Sequence, residues 1–266
     1  IEDNAQAPGA IIKDKFTGTI GDFGIFSLNR HKAMQCGEGG VVLSNDLELT
    51  QRLRLVRNHG EVLVEAMGVK NITNMVGLNY RMTNMEAAVA IEQLKKLELI
   101  NKPRIELASR LNYNLKNIEG VSSPKIREDC THVYYFYAMK YDEEVVGIPR
   151  KTFCQAVEAE GFILKSGYVR PIYLEPMYQK KIGFGNDGFP FNANDRINEI
   201  NYSMNACPEC ENIQNNELIW TNIVYPPLKN SDMDQFCDAI EKVIKNKDLI
   251  LSKQNVNVEN EGTLYD

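Results

Sequence analysis

The stretch Ser27-Leu28-Asn29-Arg30-His31-Lys32-Ala33-Met34-Gln35-Cys36-Gly37-Glu38-Gly39-Gly40 decides the fold of this 266-residue chain. It starts at the end of one short apolar run, Phe23-Gly24-Ile25-Phe26-Ser27, and finishes where another begins, Gly40-Val41-Val42-Leu43-Ser44. Short apolar runs bounded by glycine are typical of buried strands. Lys32 therefore lies on the connection between two predicted strands, where a side chain can point into a cleft.

Strand and helix signals alternate on both sides of this stretch. The chain opens with Ile1-Glu2-Asp3-Asn4-Ala5-Gln6-Ala7, in which Asp3 ends a short strand. Beyond the second run, Leu49, Leu53 and Val56 recur at helical spacing, and Gly60 is placed to end that helix. This alternation indicates an α/β fold.

These segments resemble the DegT/DnrJ/EryC1/StrS family of sugar aminotransferases, which use pyridoxal phosphate (PLP). Its members carry Ile-Glu-Asp-x-Ala-Gln-Ala, followed by a serine, a lysine five residues later and Gly-Glu-Gly-Gly. Three later segments look like further family landmarks: Gly77-Leu78-Asn79-Tyr80-Arg81-Met82-Thr83, Thr131-His132-Val133-Tyr134-Tyr135-Phe136-Tyr137 and Arg170-Pro171-Ile172-Tyr173-Leu174. The resemblance covers most of the chain. It implies a fold-type-I PLP-dependent transferase, aspartate aminotransferase-like, with a partial large domain and a smaller α+β C-terminal domain.

The resemblance assigns the cofactor to four residues of the opening segments. Lys32 would form the Schiff base with PLP, and the Asp3 carboxylate would keep the pyridine nitrogen protonated so that the ring can accept electrons. Gln6 resembles the glutamine near the ring hydroxyl, and Ser27 resembles the serine that binds the phosphate. Three of them have an ordinary alternative, since most lysines are solvated, Asp3 could cap a helix and Gln6 could be a polar first-turn residue.

His31 raises a question of register, because relatives that remove a sugar hydroxyl have histidine in place of the lysine. Counting five residues forward from Ser27 and five back from Gly37 reaches Lys32 both times. The register therefore favours an aminotransferase.

Three further residues are candidates through the later landmarks. Asn79 matches an asparagine that reaches the cofactor phosphate of the neighbouring subunit, which implies a homodimer with shared active sites. Arg81 could bind a substrate carboxylate or phosphate, although an arginine before a helix is as often structural. Tyr173, a weaker substrate candidate, stands where many relatives have histidine.

The implied reaction moves an amino group from glutamate, or glutamine, to a nucleotide-linked keto-sugar, in cell-surface polysaccharide or secondary-metabolite biosynthesis. Trp220-Thr221 replaces the commoner Leu-Pro and resembles instead the branch acting on keto-inositols and related carbocycles, often with glutamine as donor. A catalytically silent regulatory or assembly protein could keep the same fold. Retention of Lys32, Asp3 and Ser27 argues against that third possibility.

Composition excludes several other classes. The formal charge of −6, with basic residues dispersed among acids, disfavours a nucleic-acid partner. The sequence contains no apolar run near the ~20 residues that span a bilayer, so we predict a cytoplasmic protein without a membrane partner. Cys207-Pro208-Glu209-Cys210 lacks the second ligand pair of a structural zinc site, so we predict no metal and a structural role. Gly37-Glu38-Gly39-Gly40 lacks the pattern of a phosphate-binding loop and predicts a tight turn.

The sequence predicts a large-domain remainder over 1–119, a small domain over 120–252 and a polar tail over 253–266. Because the chain begins inside the first motif, we expect the upstream strands and the phosphate-binding helix of relatives to be missing. We therefore expect residues 1–266 alone to bind PLP poorly.

Capping patterns predict where the long helices begin. Thr83-Asn84-Met85-Glu86 is a capping box that starts a helix, which Pro103 interrupts or restarts. Ser231-Asp232-Met233-Asp234 predicts the cap of the last helix. Between them, the sequence predicts strands in 133–141 and 162–169 and a helix in 149–160.

Overall fold

The computed structural model describes residues 1–60, 75–193 and 199–254. The chain folds into two compact units, each assembled from segments that are separate in the sequence. The first unit contains Ile1–Ala108, Lys125–Tyr135 and Val224–Pro227, and the second contains Ser109–Pro124, Phe136–Ile223 and Leu228–Asp266.

The elements are numbered in chain order across both units. The strands are β1 (Glu2–Asp3), β2 (Ile11–Ile12), β3 (Lys15–Phe16), β4 (Gly24–Ser27), β5 (Gly40–Leu43), β6 (Val121–Ser122), β7 (Cys130–Thr131), β8 (Tyr137–Tyr141), β9 (Lys165–Ser166) and β10 (Leu218–Thr221). The helices are α1 (Leu47–Arg57), α2 (Asn84–Lys95), α3 (Leu97–Asn114), α4 (Glu143–Val146), α5 (Arg150–Ala159), α6 (Pro176–Lys180), α7 (Pro208–Asn212), α8 (Asn230–Lys245) and α9 (Lys247–Gln254). None of these helices is long and apolar enough to cross a membrane.

The first unit contains a mixed sheet in the order β1-β4-β5. β1 runs parallel to β4, and β4 pairs antiparallel with β5. The turn before β4 lies against this strand, because a Cβ built on Gly24 would stand 1.9 Å from the Gly18 carbonyl oxygen. Only glycine at position 24 therefore leaves room for the backbone of this turn to lie directly against β4.

β5 is a strand, as predicted, but it is not buried among the described residues. Val42 and Leu43 are 44% and 41% exposed. The reason is that β5 is the outer strand of the described sheet and pairs there with β4 alone.

The first two helices confirm the local signals in the sequence. α1 is capped by Asp46, whose carboxylate accepts the Leu49 N–H at 2.9 Å, and Gly60 follows with a φ of 76°. α2 begins after Thr83 with both hydrogen bonds of the predicted capping box.

The effect predicted for Pro103 is wrong. The break between α2 and α3 falls at Lys96, and Pro103 lies inside α3. Proline removes the N–H that would bond to the carbonyl of Leu99. Leu99 is exposed, so water can satisfy that carbonyl and the helix continues.

The second unit is built on an antiparallel sheet in the order β6-β8-β10-β9. Tyr137, Met139 and Tyr141 alternate along β8 and are buried. Helices α5 and α8 pack together, and Phe153 and Phe236 from these helices are fully buried. Burial of each such aromatic side chain contributes roughly 1.5–3 kcal/mol. The predicted helix over 149–160 is confirmed, whereas only Lys165–Ser166 of 162–169 and Tyr137–Tyr141 of 133–141 are strand.

The last long helix begins earlier than its predicted cap. α8 starts at Asn230, and the Asp232 carboxylate accepts the Lys229 N–H at 2.6 Å. Asp234 is not available for capping because it binds Arg110 through two hydrogen bonds of 2.6 and 2.9 Å. This ion pair fixes α8 against α3, and the Ser231 cap is wrong.

Candidate functional site

Asp3 and Ser27 stand at the carboxyl ends of the two parallel strands β1 and β4. Asp3 is in register with Ile25. Side chains two residues apart on a strand share a face, so Asp3, Ile25 and Ser27 lie on the same face of the sheet. The carboxyl end of parallel strands is where open α/β sheets bind ligands.

The connection from β4 to β5, residues 28–39, carries Lys32 and is called the lysine loop below. The Lys32 N–H donates to the Asn29 carbonyl at 2.9 Å, which closes a turn just beyond β4. Leu28 donates to the Gly39 carbonyl and accepts from the Cys36 N–H, at 2.9 and 3.0 Å. These bonds close the base of the lysine loop, so Lys32 is held near the end of the strand that carries Ser27.

The Lys32 amine lies over an aromatic ring. Its Nζ is 4.6 Å from the centroid of the Tyr135 ring. Lys32 is half-buried and takes part in no ion pair within the described part of the chain. A cation over an aromatic face gains about 0.5–2 kcal/mol, and no carboxylate has to be displaced before the amine can react.

Asp3 and Ser27 keep hydrogen-bonding capacity for a ligand. One Asp3 carboxylate oxygen accepts the Ala5 N–H at 3.0 Å within a turn, where no helix starts, and the side chain remains exposed. The Ser27 hydroxyl accepts from the Asn29 N–H at 3.3 Å, so its proton can still be donated. Gln6 lies exposed in the turn that follows Asp3.

Glu2, which the sequence reasoning passed over, anchors this edge of the sheet. Its carboxylate accepts the backbone N–H groups of Gly18, Ile20 and Gly21 at 2.8, 2.8 and 2.6 Å. The N–H groups of Gly21 and Gly18 hold the pKa of Glu2 below its usual range. Glu2 thereby ties the turn before β4 to the strand that presents Asp3.

The segment before α2 packs beside the lysine loop. A Cβ built on Gly39 would lie 2.9 Å from Met82 Cε. Asn79 pairs with Asn58 in an isolated bridge, and its side-chain oxygen accepts from Arg81 Nε at 2.9 Å. Arg81 is exposed, and one of its terminal nitrogens lies 3.4 Å from His59 Nε2. The structure thus ties Arg81 to Asn79 and His59.

A second cation, Arg104, also belongs to the first unit. It donates to the Tyr134 carbonyl at 3.2 Å, and its buried Nε has no hydrogen-bond partner among the described residues. Burial lowers the pKa of Arg104, while Tyr225 and Tyr135 act to raise it. The sequence offered no signal for Arg104 and marked Tyr135 only as part of a landmark segment, without a role, because each meets its neighbours through contacts that are distant along the chain.

Tyr173 lies in the second unit, where its hydroxyl donates to Glu211. Glu211 is buried, with 6% of its surface exposed, and also accepts the Asn205 N–H at 2.7 Å. Burial and the Glu211 carboxylate raise the pKa of Tyr173 to about 12. The phenol therefore stays protonated at neutral pH.

The described residues contain no group of three or more His, Cys, Asp or Glu side chains able to hold a metal ion. The edge of the β1-β4 pair and the lysine loop offer an amine, a carboxylate and a hydroxyl, those of Lys32, Asp3 and Ser27. These are the groups that the sequence assigned to PLP, and their arrangement at one sheet edge fits that cofactor.

An open α/β sheet with such groups at the carboxyl ends of parallel strands defines the class of fold-type-I transferases. The family model of the DegT/DnrJ/EryC1/StrS aminotransferase family matches residues 1–239. The chain belongs to this family.

Relatives and solved structures agree with this assignment. Spore coat polysaccharide biosynthesis protein SpsC of Bacillus subtilis is 27% identical over 93% of this chain and 60% of its own length. L-glutamine:2-deoxy-scyllo-inosose aminotransferase of Streptoalloteichus tenebrarius is 28% identical over 92% of this chain and 58% of its own. The crystal structure of an aminotransferase from Psychrobacter cryohalolentis, 25% identical, superposes with a TM-score of 0.73 over 92% of this chain and 61% of that chain. The chain thus spans about 60% of the length of these relatives.

Proposed function

We propose that the protein containing this chain is a PLP-dependent aminotransferase that transfers an amino group from glutamate or glutamine to a keto-sugar. The observation that carries the proposal is the edge of the β1-β4 pair. Asp3 and Ser27 share a face there, and Lys32 follows on the adjoining loop without a carboxylate partner among the described residues. Membership in an aminotransferase family supports the same reaction.

Each polar group of this edge has one task in the proposed site. Bound PLP supplies an aldehyde that links to amines and a ring that accepts electrons. The Asp3 carboxylate would hold a proton at the ring nitrogen, and the Ser27 hydroxyl would donate to the phosphate. Gln6 would lie near the ring hydroxyl.

Lys32 would hold the cofactor and then, once released, move a proton to and from the substrate carbon through Nζ. The hydrogen bonds that close the lysine loop limit how far the lysine backbone can move. Tyr135 supports the side chain on one side, and Glu2 fixes the strand that presents Asp3. Together these contacts would orient the amine and the carboxylate before the cofactor enters.

We further propose that the enzyme is a homodimer in which Asn79 acts on the cofactor phosphate of the partner subunit. Asn79 accepts from Arg81 through its oxygen, so its amide hydrogens can donate to a phosphate. Arg81 and Tyr173 remain substrate candidates. The Tyr173 hydroxyl is held by Glu211 and would contact substrate as a neutral group.

A second acceptor class, the keto-inositols, is favoured by Trp220-Thr221, which resembles the branch acting on such carbocycles. Trp220 donates from Nε1 to the Gly167 carbonyl at 2.7 Å and packs against Phe136 and Tyr168. Position 220 is thus an ordered part of the second unit. Two relatives, 28% and 29% identical, are named as aminotransferases of 2-deoxy-scyllo-inosose and scyllo-inosose.

The test is nitrogen transfer by the complete protein loaded with PLP. Glutamate carrying ¹⁵N at the α-amino group, or glutamine so labelled, is offered with a nucleotide-linked 4-keto-sugar or with scyllo-inosose, and mass spectrometry follows the label. We expect ¹⁵N in one acceptor class. Failure of both donors to give up nitrogen to the bound cofactor would overturn the proposal and favour a silent homologue.

A further inference from the structure

Cys207 and Cys210 occupy the first turn of α7. Cys207 is the residue that caps the helix, and Cys210 is the third residue inside it. The Glu211 N–H donates to the Cys207 carbonyl at 3.0 Å, which closes the turn between them. Both thiols are exposed.

The cap and the third residue of a helix are side-chain neighbours. Cys207 makes no side-chain capping hydrogen bond at the start of α7, so its thiol can turn toward Cys210 without breaking one. The hydrogen bond from Glu211 to Cys207 closes one helical turn, in which Cα atoms three residues apart lie about 5 Å from each other, within the roughly 4.4–6.8 Å that a disulfide needs. A small rotation of two exposed side chains can therefore bring the sulfur atoms into bonding distance.

The turn that carries the two thiols is fixed from inside. The buried Glu211 carboxylate accepts from the Asn205 N–H and from the Tyr173 hydroxyl, so it holds the chain on both sides of the pair. Pro208 fixes the backbone between them. Because the turn is already ordered, closing a bond within it loses little conformational entropy, and the intramolecular reaction is favoured over reaction with a second molecule.

A metal does not account for the pair. The described residues supply no third ligand that would join Cys207 and Cys210 in a metal-binding group. Structural zinc needs four ligands, so two thiols at one helix start leave the site half complete.

We propose that Cys207 and Cys210 form a redox site that low-molecular-weight disulfides, such as glutathione disulfide, convert reversibly into an intramolecular disulfide. One thiol loses its proton and its sulfur attacks the glutathione disulfide, which breaks that bond and releases one glutathione. The second cysteine, also deprotonated, attacks the mixed disulfide and releases the second glutathione. Two electrons pass from the protein to glutathione disulfide, and the two protons end on the two glutathione thiols. This chemistry is independent of the aminotransferase reaction.

The test uses the complete protein equilibrated in glutathione buffers of graded oxidation, followed by alkylation, trypsin digestion and mass spectrometry. The tryptic peptide 197–229 contains Cys207 and Cys210 and no other cysteine. We expect this peptide to escape alkylation and to lose the mass of a hydrogen pair as the buffer becomes oxidising. Returning the protein to reducing buffer should reverse the loss completely.

Two sets of controls separate this site from ordinary thiol oxidation. Cys207→Ser and Cys210→Ser should each leave one thiol that gains a glutathione adduct and shows no loss of a hydrogen pair. Cys36 and Cys130, half-exposed cysteines that lie far apart in sequence from any other, should also give adducts only. The proposal is overturned if peptide 197–229 stays fully alkylated, or carries glutathione on both cysteines, where Cys36 and Cys130 form adducts.

Discussion

The lysine loop presents an amine that rests on an aromatic ring instead of a carboxylate. An ion pair would have to break before Lys32 could react, whereas the Tyr135 ring supports the side chain at 4.6 Å and leaves the nitrogen accessible. Half-burial with an aromatic contact is unlike the fully solvated state of most lysines. This environment supports Lys32 as the reactive amine.

Replacing Lys32 by alanine in the complete protein should abolish transamination, because the covalent anchor and the proton carrier disappear together. Loss of a general base alone costs roughly 10²–10⁴-fold in rate. After borohydride reduction of the wild-type protein, mass spectrometry should find the pyridoxyl group on Lys32. The exposed lysines Lys13 and Lys15 serve as controls, and their alanine variants should retain activity. An adduct on either of those two residues would contradict the assignment.

Glu2→Gln should destabilise the first unit, because an amide cannot accept three N–H bonds as well as a carboxylate does. The loss at neutral pH should be about 1 kcal/mol, below the ~1.5–3 kcal/mol typical of a hydrogen bond to a charged group, because water screens this partly exposed carboxylate. The pKa of Glu2 is lowered in the folded state, so its contribution is complete above the unfolded value of about 4.3 and is lost as pH falls through the folded value. Urea unfolding should therefore show a difference in the free energy of unfolding between wild type and Glu2→Gln, and this difference should become smaller as the pH falls below about 4.3. A difference that stays constant down to strongly acidic pH would exclude this role.

The candidate site residues that lie within short motifs could be predicted from the sequence. Asp3, Ser27 and Lys32 each carry a signal in their near neighbours, and the structure places the first two on one sheet face. Arg104 carries no such signal, and the landmark segment that contains Tyr135 gave this residue no role, because their contacts join segments far apart in the chain. Long-range contacts of this kind depend on packing, which a single sequence does not encode locally.

At the scale of secondary-structure elements, the starts of the helices also show that a local sequence pattern fails where a distant residue competes for the same side chain. The α2 capping box was predictable because all its hydrogen bonds lie within Thr83-Asn84-Met85-Glu86. The similar pattern at Ser231 failed because its acidic residue, Asp234, binds Arg110 and Asn114 on α3. A distant partner therefore overrode a local capping pattern. Pro103 gives a comparable case, since an exposed turn lets α3 continue through it.

Alanine substitutions at these two positions provide a matched pair. Thr83→Ala removes a real cap and should lower the free energy of unfolding by about 1 kcal/mol. Ser231→Ala removes a hydroxyl that caps nothing and should change the free energy by less than about 0.5 kcal/mol. Urea unfolding of the complete protein, with helix content followed by circular dichroism, measures both. Equal losses in the two variants would mean that α8 uses Ser231 as its cap after all.

At the scale of the whole molecule, this chain forms two compact units and spans about 60% of the length of its relatives. The α/β class followed from the alternation of strand and helix signals, and the family followed from the resemblance of the quoted motifs. The path of the chain could not be predicted in this way. Residues 125–135 and 224–227 belong to the first unit, although the segments that precede them belong to the second. β7, within 125–135, pairs with β2, which lies more than a hundred residues earlier. Pairing over such a separation has no local signature.

The proposed sharing of active sites between subunits can be tested by mixing two inactive variants of the complete protein. An Asn79→Ala subunit keeps Lys32, and a Lys32→Ala subunit keeps Asn79. If Asn79 acts in the partner's site, a hybrid dimer collects both defects in one site and leaves the other intact. Random exchange makes half of the dimers hybrids, so activity should recover to roughly a quarter of the wild-type value.

A mixture of Lys32→Ala with Ser27→Ala is the matched control, because both residues belong to the same lysine-bearing site. Every site in that hybrid keeps one defect, so no activity should return. Native mass spectrometry confirms that subunits have exchanged in each mixture. Recovery that is absent from the Asn79 mixture, despite demonstrated exchange, would place Asn79 in the site of its own subunit.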